Sequence, residues 1–181
     1  MERQMIKTLI LFLLLTIPVF GQLQSEAEFN EIFNNESLAE KREIWRSLTP
    51  EQKVDVWRLN FQWGIEHLNL TTEQLQYVAA LSNSLPTITM EEARKLEREA
   101  HDLFPNDKAT LLVGTIGPFV SKCNVFVKAS FQPTSCPCSI GSGFNMSCDG
   151  ECMSPNGRCT TTLDGCGFAW MYACSGWCQA G

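Results

Sequence analysis

The sequence has little histidine and little positive charge. Its 181 residues include only two histidines, and 14 Lys and Arg residues stand against 20 Asp and Glu, for a formal net charge of −6. No Lys/Arg cluster is present, and an acidic surface repels a polyanion, so nucleic acid is not an expected partner. The shortage of positive charge therefore argues against a nucleic-acid-binding function.

Patterns that accompany catalysis are also missing. The sequence contains no nucleophile elbow, no phosphate-binding glycine loop and no metal-binding signature. His67 and His101 fall on predicted helices, where a surface or boundary position explains them more simply than a role as a general base. Glu97 and Glu99 are predicted to lie on a solvated helix face beside basic neighbours. The sequence therefore predicts a protein that is not an enzyme, with no catalytic residue, no metal ligand and no cofactor.

The apolar run near the N-terminus is short. Residues 8–20, TLILFLLLTIPVF, fall below the about 20 residues that a membrane-spanning helix needs. A positively charged segment precedes this run, Pro18 interrupts it, and Gly21 supplies a small residue at its end. These are the marks of a secretory leader. Residues 1–21 are therefore predicted to be a Sec-type signal peptide, cleaved after Gly21, and the protein is expected to be secreted.

Residues 22–108 are predicted to form a small bundle of about four helices. Four sites have the spacing of a capping box, in which a Ser or Thr caps a helix and a Glu or Gln three residues later reaches back. They are Ser25 with Glu28, Thr49 with Gln52, Thr71 with Gln74, and Thr89 with Glu92. In the second predicted helix, Val54, Trp57 and Phe61 recur at helical spacing. The first predicted helix has a comparable face made of Ile32, Phe33, Ile44, Trp45 and Leu48.

Residues 109–135 differ from the helical segment in composition. They contain β-branched and aromatic residues, with glycine and proline and no helical period, and they include Cys123. This composition predicts a linker of loops with short extended segments. An exposed linker is the backbone that is most easily opened, so a processing protease is expected to cut here if the part that follows is released.

The last part of the chain, residues 136–181, holds eight of the nine cysteines and few aliphatic side chains; we call it the tail. A domain below about 70–80 residues buries too little apolar surface to offset the ordering entropy of its chain, and it relies on disulfides or a metal. In an exported protein disulfides are favoured. We therefore predict a small disulfide-rich domain of loops with little β structure. Its bonded cysteines are Cys136, Cys138, Cys148, Cys152, Cys159, Cys166, Cys174 and Cys178.

Zinc is the alternative ligand for these sulfurs. Neither histidine lies in the tail, and the cysteine spacings do not give two Cys-x-x-Cys knuckles. Cys136 and Cys138 are too close in sequence to be expected to bridge each other, but eight cysteines allow roughly a hundred pairings, and the sequence does not choose among them. Cys123 is left over, as a buried or free thiol, an intermolecular bridge, or a partner for a displaced tail cysteine.

Five large apolar side chains crowd the end of the tail. They are Phe168, Trp170, Met171, Tyr172 and Trp177. A domain this small cannot hide them all, which favours an exposed apolar patch and makes them a candidate membrane or partner surface. Aromatic rings with polar groups suit a lipid interface. The alternative is that the same side chains pack over the disulfides as a miniature core.

Three features of the tail are shared with a known family. They are Cys-Pro-Cys at 136–138, the run CTTTLDGCGFAWMYAC at 159–174, and the total of eight cysteines. In these the tail resembles the fulvocin C-related bacteriocin family. The helix starts Leu-Thr-Pro-Glu-Gln and Leu-Thr-Thr-Glu-Gln are similar to the pro-region of such precursors. The resemblance implies a secreted, disulfide-stapled peptide, active against other bacteria and carried by a helical N-terminal region.

Together these features predict a mainly α N-terminal bundle, residues 22–108, that acts as a pro-domain for a disulfide-rich effector, residues 136–181. The effector is expected to act at the membrane or envelope of a target cell without covalent chemistry, after a processing protease has cut the precursor. A function of another class stays open. An uncleaved extracellular binding or structural protein could use the cysteine-rich module to recognise a protein or a sugar.

Overall fold

A succession of helices makes up most of the described residues between 19 and 114. The computed structural model describes residues 19–35, 37–117, 136, 138–144 and 151–179, with side chains from residue 26 to residue 178. The helices are α1 Val19–Asn34, α2 Leu38–Ser47, α3 Pro50–His67, α4 Thr72–Ser84, α5 Met90–Leu103 and α6 Asn106–Ala109, followed by a π-helical turn, Thr110–Gly114. We call residues 19–117 the helical region. The predicted mainly α character of this part is confirmed.

Three of the predicted capping boxes form, and each starts a helix. The hydroxyls of Thr49, Thr71 and Thr89 accept a hydrogen bond from the backbone N–H three residues later, and the Gln or Glu at that position accepts from the threonine N–H. Pro50 follows at a position where its missing N–H is not needed. Each cap is worth about 1 kcal/mol. The starts of α3, α4 and α5 are therefore fixed locally, by the sequence around them.

The first predicted helix is two helices, so the prediction of one helix capped at Ser25 is wrong. α1 already runs through that position and ends before α2 begins. Ser37 caps α2, because its hydroxyl accepts from the N–H of Glu40 at 3.3 Å. The N–H of Ser37 in turn donates to Asn35 Oδ1 at 2.8 Å. Short polar side chains of this kind compete with the helical backbone for hydrogen bonds, which explains the break.

The segment predicted to begin the linker is helical at its start. α6 continues directly into the π-helical turn, where Leu112 is fully buried. The side chain of Asn60 on α3 satisfies the end of this turn, since its amide donates to the Leu112 carbonyl at 3.1 Å and its Oδ1 accepts from the N–H of Gly117 at 3.2 Å. The prediction of loops and extended segments is therefore wrong for residues 109–114. Residues 118–135 lie outside the described residues.

Short strands order the described part of the tail. They are β1 Glu151–Met153, β2 Thr162–Cys166, β3 Tyr172–Cys174 and β4 Trp177–Gln179. β1 pairs with β4 and β2 with β3, as two separate antiparallel sheets of two strands each. Two isolated strands are only marginally stable in water, so the tail depends on its cross-links and on packing. The predicted disulfide-rich and sheet-poor tail is confirmed.

The helical region and the tail share one hydrophobic core. Phe144, Phe168 and Trp170 of the tail belong to the same cluster of buried side chains as Trp45 and Trp57 of the helices. A second buried cluster lies inside the tail and consists of cysteine side chains, with one tryptophan packed against it. The linker therefore separates the two parts along the sequence but does not divide the core.

Candidate functional site

Three tryptophans meet where the tail packs on the helical region. Trp45 comes from α2, Trp57 from α3, and Trp170 from a 3-10 turn between β2 and β3. The ring of Trp170 lies with its centroid 5.5 Å from that of Trp45 and 6.1 Å from that of Trp57, at interplanar angles of 87° and 88°. Aromatic pairs favour this edge-to-face geometry. The indole N–H of Trp170 also donates to the carbonyl of Gly114 at 3.0 Å. We call Trp45, Trp57 and Trp170 the tryptophan junction.

A left-handed turn presents Trp170 to the helices. The φ angles of Ala169 and Trp170 are 46° and 53°, in a region where non-glycine residues are uncommon and cost about 1–3 kcal/mol each. The disulfide between Cys166 and Cys174 closes the chain on both sides of this turn. Burial of the tryptophan and closure by the disulfide therefore hold a backbone conformation that would relax in a free chain.

Three of the five predicted surface residues are buried. Phe168 and Trp170 are 0% exposed and Tyr172 is 3% exposed, whereas Met171 and Trp177 are partly buried. The prediction of an exposed patch is therefore wrong for the first three. They pack on the helical region, while Trp177 packs against the cysteine cluster. The physical reason is that the helical region covers these rings, with Trp45 and Trp57 packed against Trp170, and no pattern within the tail reveals that partner.

Other apolar side chains of the tail are exposed instead. Ile140 is 52% exposed and Met153 is 44% exposed. Met153 pairs with Trp177 across β1 and β4, and directly paired residues of antiparallel strands place their side chains on the same face. Ile140 lies next to Gly176, since its Cγ1 is 3.0 Å from where a Cβ on that glycine would stand. The sequence did not indicate that Ile140 and Met153 would form an exposed apolar surface, since each stands among small and polar residues.

A buried carboxylate of the helical region enters the tail. Glu97 on α5 is 6% exposed. Its Oε1 accepts hydrogen bonds from the Ser142 hydroxyl and from the N–H groups of Gly143 and Phe144, the latter two at 2.7 and 3.3 Å. Its Oε2 accepts from the Tyr172 hydroxyl at 2.6 Å. The prediction that Glu97 lies on a solvated face is therefore wrong. We call the four donors, Ser142, Gly143, Phe144 and Tyr172, the Glu97 pocket.

The hydrogen bonds of this pocket satisfy a group that is costly to bury. An ionised carboxylate loses a large hydration free energy on burial unless donors replace the water, and here the donors of the tail do so. Burial raises the pKa of the Tyr172 hydroxyl above its ordinary value, and the hydrogen bond to Glu97 and the charge of that carboxylate raise it further. Tyr172 therefore stays protonated, and remains a donor, at neutral pH.

Both histidines lie at helix surfaces, stacked on aromatic rings. The His101 ring lies 4.2 Å from that of Phe144 at 9°, beside the Glu97 pocket. The Nδ1–H of His67 donates to the Trp63 carbonyl at 2.8 Å, and the two rings stack at 5.1 Å. Within the ranges that the structure describes, no group of His, Cys, Asp or Glu side chains is arranged to hold a metal ion. The absence of enzymatic activity stays a prediction.

A cleft of about 480 Å³ opens between α3 and the tail. Trp45 and Trp57 line it together with Lys53 of α3 and Asp164 of β2. The Lys53 Nζ lies 2.6 Å from Asp164 Oδ2 and 5.4 Å from the centre of the Trp45 ring. The buried indole N–H groups of Trp45 and Trp57 donate to no described residue. Because the helical region and the tail each supply part of its wall, the cleft exists only while the two are docked.

Every described cysteine of the tail is in a disulfide. The pairs are Cys136–Cys159, Cys138–Cys152 and Cys166–Cys174, and Cys178 is disulfide-bonded as well. The expectation that the closely spaced Cys136 and Cys138 do not bridge each other is confirmed. Each of the three pairs joins two positions of the tail, and the helical region contains no cysteine. Cys123 and Cys148 lie outside the described residues.

The structure describes only the last residues of the predicted signal peptide, residues 1–21. Residues 1–18 lie outside the described residues, and α1 begins at Val19, so it runs through the predicted cleavage site after Gly21. Of the helices that the structure describes, none combines the length and the apolar character needed to cross a membrane. The disulfides are consistent with an extracellular protein. The signal peptide itself stays a prediction.

Comparison with protein-family models, with curated proteins and with solved structures gave no significant match. Function is therefore inferred from the residues and geometry of this chain.

Proposed function

We propose that this chain is a secreted precursor in which the helical region masks a disulfide-stapled, bacteriocin-like tail. The observation that supports this most directly is the tryptophan junction. The tail places Phe168, Trp170 and Tyr172 against the helices, where they are almost completely shielded from water. These are the side chains through which a free tail would contact a membrane or a partner. In the uncut chain the helical region covers them, so the precursor is inactive against other bacteria.

The cross-links of the tail support its release as a unit. The three described disulfide pairs each close a loop within residues 136–174. A single cut in the linker would therefore leave these three staples of the tail intact. Each such loop contributes about 3 kcal/mol to the stability of a small domain in the chain-entropy model. The staples thus compensate for core packing that the tail loses when the helices leave.

Release would expose the apolar surface of the tail that the helices cover. The three buried rings would join Ile140 and Met153, which are already exposed. A domain of this size with so large an apolar surface binds a membrane or another macromolecule, and aromatic rings prefer the lipid interface. The proposed action is adsorption to the envelope of a target bacterium, with no bond made or broken. The processing protease and the target envelope are the partners that this mechanism requires.

Intact mass spectrometry of the culture medium tests the proposal. We expect a fragment containing residues 136–181, lighter by roughly eight hydrogens than its reduced mass because eight cysteines are oxidised. The purified oxidised fragment should inhibit growth of other bacteria, while the uncut chain should not. The same fragment after reduction and alkylation is the control, and it should be inactive. Recovery of uncut chain alone, together with no inhibition by the oxidised tail, would contradict the proposal.

The cleft favours a second candidate of a different class. An uncleaved extracellular binding protein could hold a ligand between Trp45 and Trp57 of the helices and Asp164 of the tail, because the space and the charged pair of Lys53 and Asp164 are both present. In that case the full chain should persist in the medium. Cutting the linker would then abolish binding, since each part supplies only one wall. Cutting the linker should therefore create the inhibitory activity if the chain is a precursor, and abolish ligand binding if it is an uncleaved binding protein.

A further inference from the structure

The hydrogen bonds of the Glu97 pocket join the two parts of the chain, with the donors on one part and the acceptor on the other. All four donors belong to the tail, and the carboxylate that they bind belongs to α5 of the helical region. The donors include two backbone N–H groups, from Gly143 and Phe144, which no side-chain rotation can turn away. The tail therefore presents a set of convergent donors, and the helical region supplies the acceptor.

Contacts within the tail hold these donors in place. The Ser142 oxygen accepts from the N–H of Phe144 and from the N–H of Phe168, each at 3.2 Å. Tyr172 lies on β3, which is paired with β2 and joined to it by the Cys166–Cys174 disulfide. Donors that are oriented in advance bind an anion without a further ordering cost. Contacts within the tail thus orient the donors, while the ring of His101 on α5 stacks on Phe144 beside them.

We propose that the Glu97 pocket is a carboxylate-binding site of the tail, which Glu97 occupies as an internal competitor until the tail is released. This rests on the proposed function, because in the unmodified chain the Glu97 side chain fills the pocket, and an external carboxylate can replace it only when α5 has left. Masking would then have two components. The tryptophan junction covers the apolar surface of the tail, and Glu97 fills its one observed anion site. The released tail would bind a carboxylate of its target through the same donors.

The donor set fits a carboxylate better than a more highly charged anion. Three donors bind one oxygen of Glu97 and one donor binds the other, which matches a group with two oxygens in a plane. All four donors are neutral. The tail has a single basic side chain, Arg158, and it is not among them. Binding of phosphate usually recruits Arg or Lys to balance its charge, so the pocket should prefer a singly charged ligand.

Rescue of the full-length variant Glu97→Ala by acetate tests the site directly. The substitution leaves the donors in place and removes a fragment that has the size and charge of acetate. Acetate at about ten times its dissociation constant should raise the folding equilibrium constant about elevenfold. For a domain of this size that corresponds to a rise in Tm of about 3–6 °C. The thermal unfolding of Glu97→Ala should therefore shift with acetate and saturate, at ionic strength held constant with potassium chloride.

Two control variants separate binding in the pocket from a general effect of salt. Glu97→Gln fills the pocket with a side chain of the same shape, so its Tm should not respond to acetate. The double variant Glu97→Ala/Tyr172→Phe lacks one donor to the charged acetate, so its acetate dissociation constant should be about tenfold to a hundredfold higher. Phosphate at equal ionic strength should give less than half of the acetate shift. An equal acetate response in Glu97→Ala, Glu97→Gln and the unmodified chain would overturn the proposal, as would no response in a folded Glu97→Ala.

A refolding measurement replaces thermal unfolding if Glu97→Ala does not fold without acetate. If Glu97→Ala is unfolded in chloride, the yield of oxidised, folded chain from refolding is measured with and without acetate. A yield that rises with acetate supports the site, and an unchanged yield overturns it. None of these measurements involves cleavage or growth inhibition. Failure of acetate rescue therefore refutes the carboxylate site alone, whereas absence of a released, inhibitory fragment refutes the precursor proposal.

Discussion

Replacing Trp170 by alanine removes the ring of the tail that packs against both Trp45 and Trp57. Loss of a fully buried tryptophan costs about 3–5 kcal/mol, through lost burial and the cavity that remains. The carbonyl of Gly114 also loses the donor that lies 3.0 Å away, which adds about 1–3 kcal/mol if nothing replaces it. The sum, about 4–8 kcal/mol, is comparable to the total stability of a typical domain, about 5–15 kcal/mol. We therefore expect Trp170→Ala to unfold the helices as well as the tail at much lower urea concentration.

Urea titration followed by two probes measures this effect. Far-UV circular dichroism reports the helices, and near-UV circular dichroism reports the packed aromatic rings. In the unmodified chain both should change in one transition, because the two parts share a core. Trp170→Phe should fall between the unmodified chain and Trp170→Ala, and Leu163→Ala, at a side chain 94% exposed, should change stability by no more than about 0.5 kcal/mol. A helical transition of Trp170→Ala within about 1 kcal/mol of the unmodified chain would refute the shared core.

Three further predictions concern single groups. Glu97→Gln should destabilise the chain by about 1–3 kcal/mol, because an amide NH₂ would face donors. Glu99→Gln, on the same helix but partly exposed, should cost less than about 0.5 kcal/mol, and equal urea midpoints for the two variants would count against the pocket. Burial lowers the pKa of Lys41 from 10.5 to about 8. Between these values the unfolded chain binds more protons than the folded chain, so stability should rise with pH. The urea midpoint of the unmodified chain relative to that of Lys41→Met should therefore increase from pH 8 to pH 10, and a flat difference would contradict the burial. Finally, thiol titration of the native protein should leave the seven described tail cysteines unreactive, and a free thiol at any of them would disprove the corresponding disulfide.

Features that depend on neighbouring residues could be predicted from the sequence. The capping boxes at Thr49, Thr71 and Thr89 place both partners within four residues, so their spacing alone indicates three helix starts. The periodic face of α3 was equally local, and its Trp57 and Phe61 are buried as expected. The density of cysteines also indicated a stapled tail without a large sheet. These predictions succeeded because the sequence around each position carries the whole physical cause.

Features that depend on distant partners could not be predicted. Glu97 stands in a charged helix, and its donors lie 45 to 75 positions later in the chain. Nothing near it distinguishes it from Glu99. Trp170 is likewise buried by α2 and α3, so a count of apolar residues within the tail overestimates the surface that the tail exposes. The disulfide pairing has the same origin, because nothing near each cysteine in the sequence favours one partner over another until the chain has folded.

The near-perpendicular packing of Trp45, Trp57 and Trp170 has an optical consequence. Indole rings whose centroids lie 5.5 to 6.2 Å apart couple their electronic transitions, and in a chiral arrangement that coupling produces a paired band of opposite signs in ultraviolet circular dichroism. Only one of the three chromophores would leave with the tail. The protein therefore carries an intrinsic, label-free spectroscopic reporter of whether its two parts are together, readable in real time during proteolysis.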